Sequence, residues 1–545
     1  MKYFDLHTAL YFIYMIVICL VSMVISGAVS TDVLMFAGIP VMFFAAFLSF
    51  YTALSENLTE GLLKSRLQRR KFTDAILFYR SAVLLSLILG AGAGILYCLN
   101  ARFFSSVILH VPLSSLTLMC LLPYLALGTA IGAMKGFLNA AGMRRLSDYS
   151  FCILSAATMV LGVFFGFFMQ IRGEKVGLLL QNEEYAAVYS AAGIGIGMSL
   201  AVLITFIYLA VVCRILIRSL HSQEDSLRID HDERMSGIMP FYLRRTFPGW
   251  LFSYLPGIIL ITDYRIGTMQ SENTTYGPIS SVHWGSFMGV TLPALIFAGC
   301  ITLCIFSKGP AAMAGDLIRK KSRSLRNRFS ILQRMTGFIS IASAWFLMSS
   351  ARPIVQVFHA GMIPAAREGA AASMQFLAPS VPLLVTCLLL MLYASKAQRI
   401  GFSMLCCGIS FVIQTLSMLV FSRIVPRTIE AVSISLDLFF LAYILLFLLG
   451  GRKSITKSLD LTWLFDWLML CVSGLIASIP VFLLSDVITN EVIPFGGMIL
   501  MQIVFTALYL IMSIVLHAAD LQNMHLIPFG RSVLRLAGML GGRGR

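Results

Sequence analysis

Apolar runs of roughly 20 residues, the length a helix needs to cross the hydrocarbon of a bilayer, recur along the whole of this chain. The bases between the runs are not spread evenly. Counting both termini as gaps, and Arg80 at the edge of the third segment with the gap it borders, 33 of the 41 Lys and Arg residues fall in every second gap. Short loops that keep an excess of bases are the ones that stay cytoplasmic, so this alternation predicts a chain that crosses a membrane repeatedly with both termini inside. Fourteen segments account for it: 9–29, 33–54, 79–99, 114–134, 149–170, 187–213, 246–264, 284–306, 335–350, 374–395, 401–422, 430–450, 464–485 and 496–517. The other eight bases, Arg102, Arg172, Lys175, Arg265, Arg352, Arg367, Arg423 and Arg427, complete the count. One segment more or fewer would scramble the pattern.

Composition agrees. The chain is 58% hydrophobic and 12% charged, with mean hydropathy +0.87, whereas a soluble domain carries about 25% charged residues. With lipid as solvent, backbone groups must be satisfied inside helices or closed barrels, and runs of this length select helices. The net charge of +16 sits where anionic headgroups lie, so no nucleic acid partner is implied. The 11 cysteines lie in or beside apolar segments with no CxxC pair and read as packing residues. The first run is too long for a signal-peptide core and the next follows at once, so cleavage is not expected.

The hydrophilic stretch from Ser219 to Pro240 reads as a joint between halves. Glu60–Arg80 resembles Ala314–Arg334 at an offset of 254, both expected to be amphipathic helices, and Arg80 then matches Arg334. Pro123 in the fourth segment and Pro379 and Pro382 in the tenth repeat at about 256. A repeat of six crossings keeps both copies in the same orientation, related by an axis along the membrane normal, with a cavity between them. The expected fold is an all-α polytopic membrane protein of about 14 transmembrane helices: two six-helix lobes (1–218 and 241–455), a linker (219–240), two further helices (456–520) and an amphipathic tail (521–545).

Three stretches carry a family resemblance: ALSENLTEGLLKSRLQRRKFTDAILFYR (Ala53–Arg80), PYLALGTAIGAMKGFLNAAGMRRLSDYS (Pro123–Ser150), and Asp263–Asp316 with YGPISSVHWGSFMGVTLPALIFAG inside it. The chain resembles the multidrug/oligosaccharidyl-lipid/polysaccharide (MOP) exporter superfamily, in particular its branch of polysaccharide transporters, stage V sporulation protein B and lipid II flippases. That resemblance implies two lobes around a V-shaped cavity, which the flippases line with cationic side chains that attract a diphosphate.

Several residues invite roles, each beside a plainer reading. Asp32, after Ser30 and Thr31, resembles a Thr-Asp pair near the flippase cavity and also reads as a helix N-cap. Arg80, Arg245 and Arg334 lie where guanidinium groups would grip a diphosphate bidentately, or snorkel to lipid phosphate. Asp263 and Arg265 form an ion-coupling candidate or an interfacial ion pair. Asp437, the acid deepest in any segment, is a proton or sodium site, or bonds as a protonated acid to a serine, with Ser433 and Ser435 near it. The stretch Arg228–Glu233 reads as a solvated linker rather than a metal site, and Leu526–Leu540 as a helix on the inner leaflet.

The sequence therefore predicts a flippase that moves a lipid-linked saccharide, carried on undecaprenyl diphosphate, from inner to outer leaflet of a bacterial plasma membrane by alternating access. Partners are the lipid-linked substrate, anionic lipids and envelope polymerases; no catalytic residue, metal or cofactor is expected. The alternatives are a cation-coupled drug or metabolite antiporter of the MATE kind and, from another class, a membrane-embedded transferase or a scaffold without transport.

Overall fold

The computed structural model describes residues 31–539 apart from 110, 225–234, 272–280, 307–308, 320, 360–363, 398, 426–427, 451–461, 491–493 and 525–529, with isolated residues before 31. The first apolar segment and the Arg228–Glu233 stretch thus lie largely or wholly outside the described residues. The protein is an all-helical membrane protein: ten described helices are long and apolar enough to cross a bilayer, or up to 12 if each of two bent pairs is one span. The bent pairs are the fourth segment (48°) and the tenth (55°), where Pro123, Pro379 and Pro382 lie. Proline removes a backbone donor and crowds the preceding turn, so these breaks fall where the sequence places it. The seventh segment is two helices, Met235–Phe252 and Leu255–Ser271.

By contacts the chain forms two compact units, one from Asp32 to Arg265 and the other chiefly from Ile266 onward. In the first, the fifth and sixth segments form a hairpin of helices Arg144–Leu180 and Glu184–Glu224. Backbones touch there: a Cβ on Gly193 would lie 2.2 Å from the Phe165 carbonyl oxygen, and one on Gly197 2.5 Å from the Gly162 nitrogen. Close approach through small residues is how helices associate where no hydrophobic force acts between them. The seventh segment joins this unit through Tyr242, whose hydroxyl lies 3.2 Å from Ser55 Oγ and 3.1 Å from Thr59 Oγ1, on successive turns of helix Thr31–Gln68.

In the second unit, helix Ser322–Phe358 packs against helix Thr462–Asn490 and helix Pro494–Val515. Trp467 Nε1 donates to the Gln333 carbonyl (2.8 Å) and Tyr509 hydroxyl to the Phe338 carbonyl (2.9 Å). The eighth segment contains a π-helical stretch, Phe287–Thr291.

The structure corrects the two amphipathic helices expected at 60–80 and 314–334. In each copy a helix ends, the chain turns, and a new helix begins, at Phe72 in one and Ser322 in the other. The turns are built alike. Lys71 (φ −84°, ψ 73°) and Lys321 (φ −87°, ψ 72°) hold the same conformation, and their amides donate to Arg66 and Asp316 carbonyls five residues back. The reason is connectivity: successive spans must reverse direction, and one continuous helix cannot. The register they define is 71 with 321, so Arg80 matches Ser330, and Arg334 matches Leu84, one helical turn from the alignment read in sequence.

Candidate functional site

Arg80 lies in the third turn of helix Phe72–Leu99 with its side chain exposed. Arg245 is exposed on helix Met235–Phe252, its guanidinium 4.8 Å from the Phe241 ring centroid. Both guanidinium groups are presented away from the packed interior of their unit.

Arg334 is placed differently. Its Nε lies 2.9 Å from Asp466 Oδ2 and its Nη1 3.7 Å from Asp520 Oδ2. One guanidinium thus bridges the start of the thirteenth segment and the turn that follows the fourteenth. These three side chains line a cavity of about 450 Å³ with His517, Asn327 and Asn523. Asn523 Nδ2 donates to Asp520 Oδ2 (3.0 Å), and His517 occupies the left-handed region (φ 53°), where the chain leaves helix Pro494–Val515.

Helix Thr31–Gln68 begins one residue before Asp32, which places that residue in its first turn. Asp263 is fully buried on helix Leu255–Ser271 and Arg265 half-buried.

Asp437 accepts a hydrogen bond from Ser380 Oγ. Ser380 is the first residue of helix Ser380–Lys396, the lower half of the bent tenth segment. The serines expected beside the acid bond elsewhere: Ser433 Oγ donates to the Ile429 carbonyl (3.1 Å) and Ser435 Oγ to the Val432 carbonyl (2.8 Å). The acid–serine bond is interhelical, and in it the serine hydroxyl donates to the carboxylate. Ser373 lies one element further on, its hydroxyl 2.8 Å from Thr291 Oγ1 at the end of the π-helical stretch.

Sequence reasoning missed Asp466, Asp520, Tyr242 and Ser380. For the two acids a signal existed: Asp466 is a carboxylate near the start of an apolar segment, and Asp520 is the lone carboxylate in a tail otherwise charged by bases. Gln333 carried none: it is fully buried, takes Thr386 Oγ1 at 3.4 Å, and its Nε2 has no hydrogen-bond partner among the described residues. Among these residues no group of three or more His, Cys, Asp or Glu is placed to hold a metal ion.

The first unit also gathers aromatic rings. Tyr254 stacks on Phe47 at 4.0 Å and lies 5.9 Å from Phe43, with Trp250 edge-on at 5.3 Å.

No protein-family model matches the sequence, and no curated protein matches it. Solved structures do. The lipid II flippase MurJ in an inward closed conformation matches at TM-score 0.62 and 14% identity, over 94% of this chain and 98% of that one. An inward-facing multidrug resistance MATE family transporter of the MOP superfamily matches at 0.60 and 15% identity, over 80% and 93%. A MOP superfamily transporter from Pyrococcus furiosus, titled for the reverse polarity of its binding pocket, matches at 0.54 and 16%, over 81% and 95%. Helix order, broken segments and these likenesses together give the chain the fold of the MOP superfamily transporters.

Proposed function

We propose that this protein is a flippase that carries a saccharide linked to a lipid diphosphate from the inner to the outer leaflet by alternating access. The observation that carries the reading is the extent of the likeness to MurJ. It spans 94% of this chain, against 80% for the MATE transporter. The added length is about that of the last two apolar segments, which also supports a count of fourteen.

The physical problem is the headgroup. Each hydroxyl taken unpaired into hydrocarbon costs on the order of several kcal/mol, and a sugar carries many. A wet passage through the protein removes that cost while the lipid tail stays in the bilayer. The positive-inside pattern places Arg80 and Arg245 at the cytoplasmic side, where exposed guanidinium groups suit a diphosphate. Arg334 is already held by two carboxylates and is the poorest of the three for that task. A membrane potential negative inside favours outward movement of negative charge by about 2.3 kcal/mol per charge per 100 mV. Asp437, hydrogen-bonded to Ser380 at the break in the tenth segment, is the acid best placed for a coupled cation; Asp263 and Arg265 are the other pair to test.

The test is reconstitution into liposomes with fluorescent undecaprenyl-diphosphate saccharide, following leaflet exchange by quenching. Exchange above that of empty vesicles, reduced in Arg80→Gln and Arg245→Gln, supports the reading. Exchange no faster than empty vesicles overturns it.

A second reading has one observation behind it. The cluster of Phe43, Phe47, Trp250 and Tyr254 suits an organic cation, which binds to aromatic faces, and would favour cation antiport of the MATE kind. Proton-driven uptake of a quaternary ammonium dye into everted vesicles, lost in Trp250→Ala, would select it.

A further inference from the structure

The cavity beside Arg334 carries an inference independent of the flippase reading. We propose that it holds the headgroup of a membrane lipid that bears a primary ammonium next to its phosphate.

The argument starts from charge. Gaps rich in bases ordinarily attract anionic lipid, and Arg323 and Arg326 nearby are exposed in the usual way. This cavity is different: one guanidinium, Arg334, faces two carboxylates, Asp466 and Asp520. Its formal charge is negative, so a purely anionic headgroup is repelled. An ammonium is attracted, since its three N–H groups match carboxylate oxygens. A headgroup with both charges satisfies the whole lining, with its ammonium between Asp466 and Asp520 and its phosphate toward the outer edge of Arg334.

Size and surroundings agree. A volume of about 450 Å³ is ample for such a group, within the ordinary range of small-molecule pockets. Phe465 belongs to the cavity wall and is 59% exposed, next to Leu468 at 59% on the same helix face. The polar cavity therefore opens beside an apolar helix surface along which acyl chains can lie. The register between the repeats adds a further point. The position matching Arg334 is Leu84, an exposed apolar residue, so the first copy has no such cavity chemistry. It arises only where segments 13 and 14 pack against segment 9.

The test is native mass spectrometry of the full-length protein in mild detergent, titrated with phosphatidylethanolamine, phosphatidylcholine and phosphatidylglycerol of identical chains. Phosphatidylethanolamine should be retained about tenfold more than phosphatidylglycerol, with phosphatidylcholine behind it because a trimethylammonium donates no N–H bond. The double variant D466N/D520N should lose that preference. Equal retention of the three lipids by the unaltered chain overturns the proposal without needing any variant, and so does a folded D466N/D520N protein that keeps the preference. Soluble O-phosphoethanolamine binding as tightly as the lipid would overturn the lipid assignment and leave a soluble phosphoamine as occupant.

Discussion

The two basic turns close at Lys71 and Lys321 with the same conformation and the same backbone hydrogen bond, and differ in how they are fastened. In the first, the Arg66 guanidinium lies 4.9 Å from the Phe78 ring centroid. In the second, the matching positions are Asp316 and Arg328, and they form an ion pair of 2.7 Å, with Ser324 Oγ donating to the same carboxylate at 2.8 Å. The cation has changed sides while the contact has been kept. The backbone path is therefore what the repeat preserves, and two different chemistries hold it. The same register runs on to the far ends of the third and ninth segments, where Arg102 matches Arg352, and buried Leu109 matches buried His359. Between them the copies diverge: the first is interrupted at Asn100 and by a π-helical stretch, while the second is one helix of 37 residues.

The difference at 109 and 359 should be felt most. Both ring nitrogens of His359 lack hydrogen-bond partners among the described residues, and burial pushes the imidazole down from 6.5 to about 4. A depressed folded-state value means the unfolded chain binds the extra proton first. Stability contributed by the neutral imidazole is present above pH 6.5 and is lost as pH falls toward 4, by up to roughly 3 kcal/mol. His359→Leu, which copies the first repeat, should flatten that acid limb in thermal unfolding followed from pH 7 to 4. An unchanged limb would mean another group titrates there.

Asp316→Ala should come next. It strips a buried acceptor from Arg328 and Ser324 and should cost about 1–3 kcal/mol in detergent unfolding. Arg66→Ala, which removes the ring contact and the bond from Arg66 Nη1 to the Leu62 carbonyl (3.0 Å), should cost about 0.5–1 kcal/mol. Equal losses would erase the distinction between the two fastenings. Transplanting the second chemistry into the first turn, as Arg66→Asp with Phe78→Arg, should leave the double variant less destabilised than the sum of the two single changes, by a coupling of about 0.5 kcal/mol or more. Additive losses would mean that the turns differ in backbone after all. The smallest effect is expected at Arg70, whose φ of 60° lies in the left-handed region. Arg70→Gly should be neutral or stabilising by less than about 1 kcal/mol, read as a shift in melting temperature.

Much of the fold was legible in the chain because hydropathy and charge act locally. A run such as 187–213 must be a membrane helix wherever it packs, and the prolines at 123, 379 and 382 mark bends whatever lies beside them. The site was legible only in part. Asp437 announces itself, since a carboxyl within an apolar segment needs a partner. That the partner is Ser380 does not, because serines are nearer in sequence and only the packing of segments 10 and 12 chooses between them. Arg334 is the sharper case: among bases it reads as one more phosphate ligand, until Asp466 and Asp520 are brought to it from distant parts of the chain.

The sequence by itself determined that this protein lives in lipid, where its helices run, and which of its gaps are basic, because transfer from water and attraction to headgroups are properties of each short stretch alone. The tertiary structure decided the register of the repeat, the fastening of its turns and which charges are spent on one another. Those depend on the approach of residues far apart in the chain, and a salt bridge or a hydrogen bond exists only at the few ångströms that folding sets.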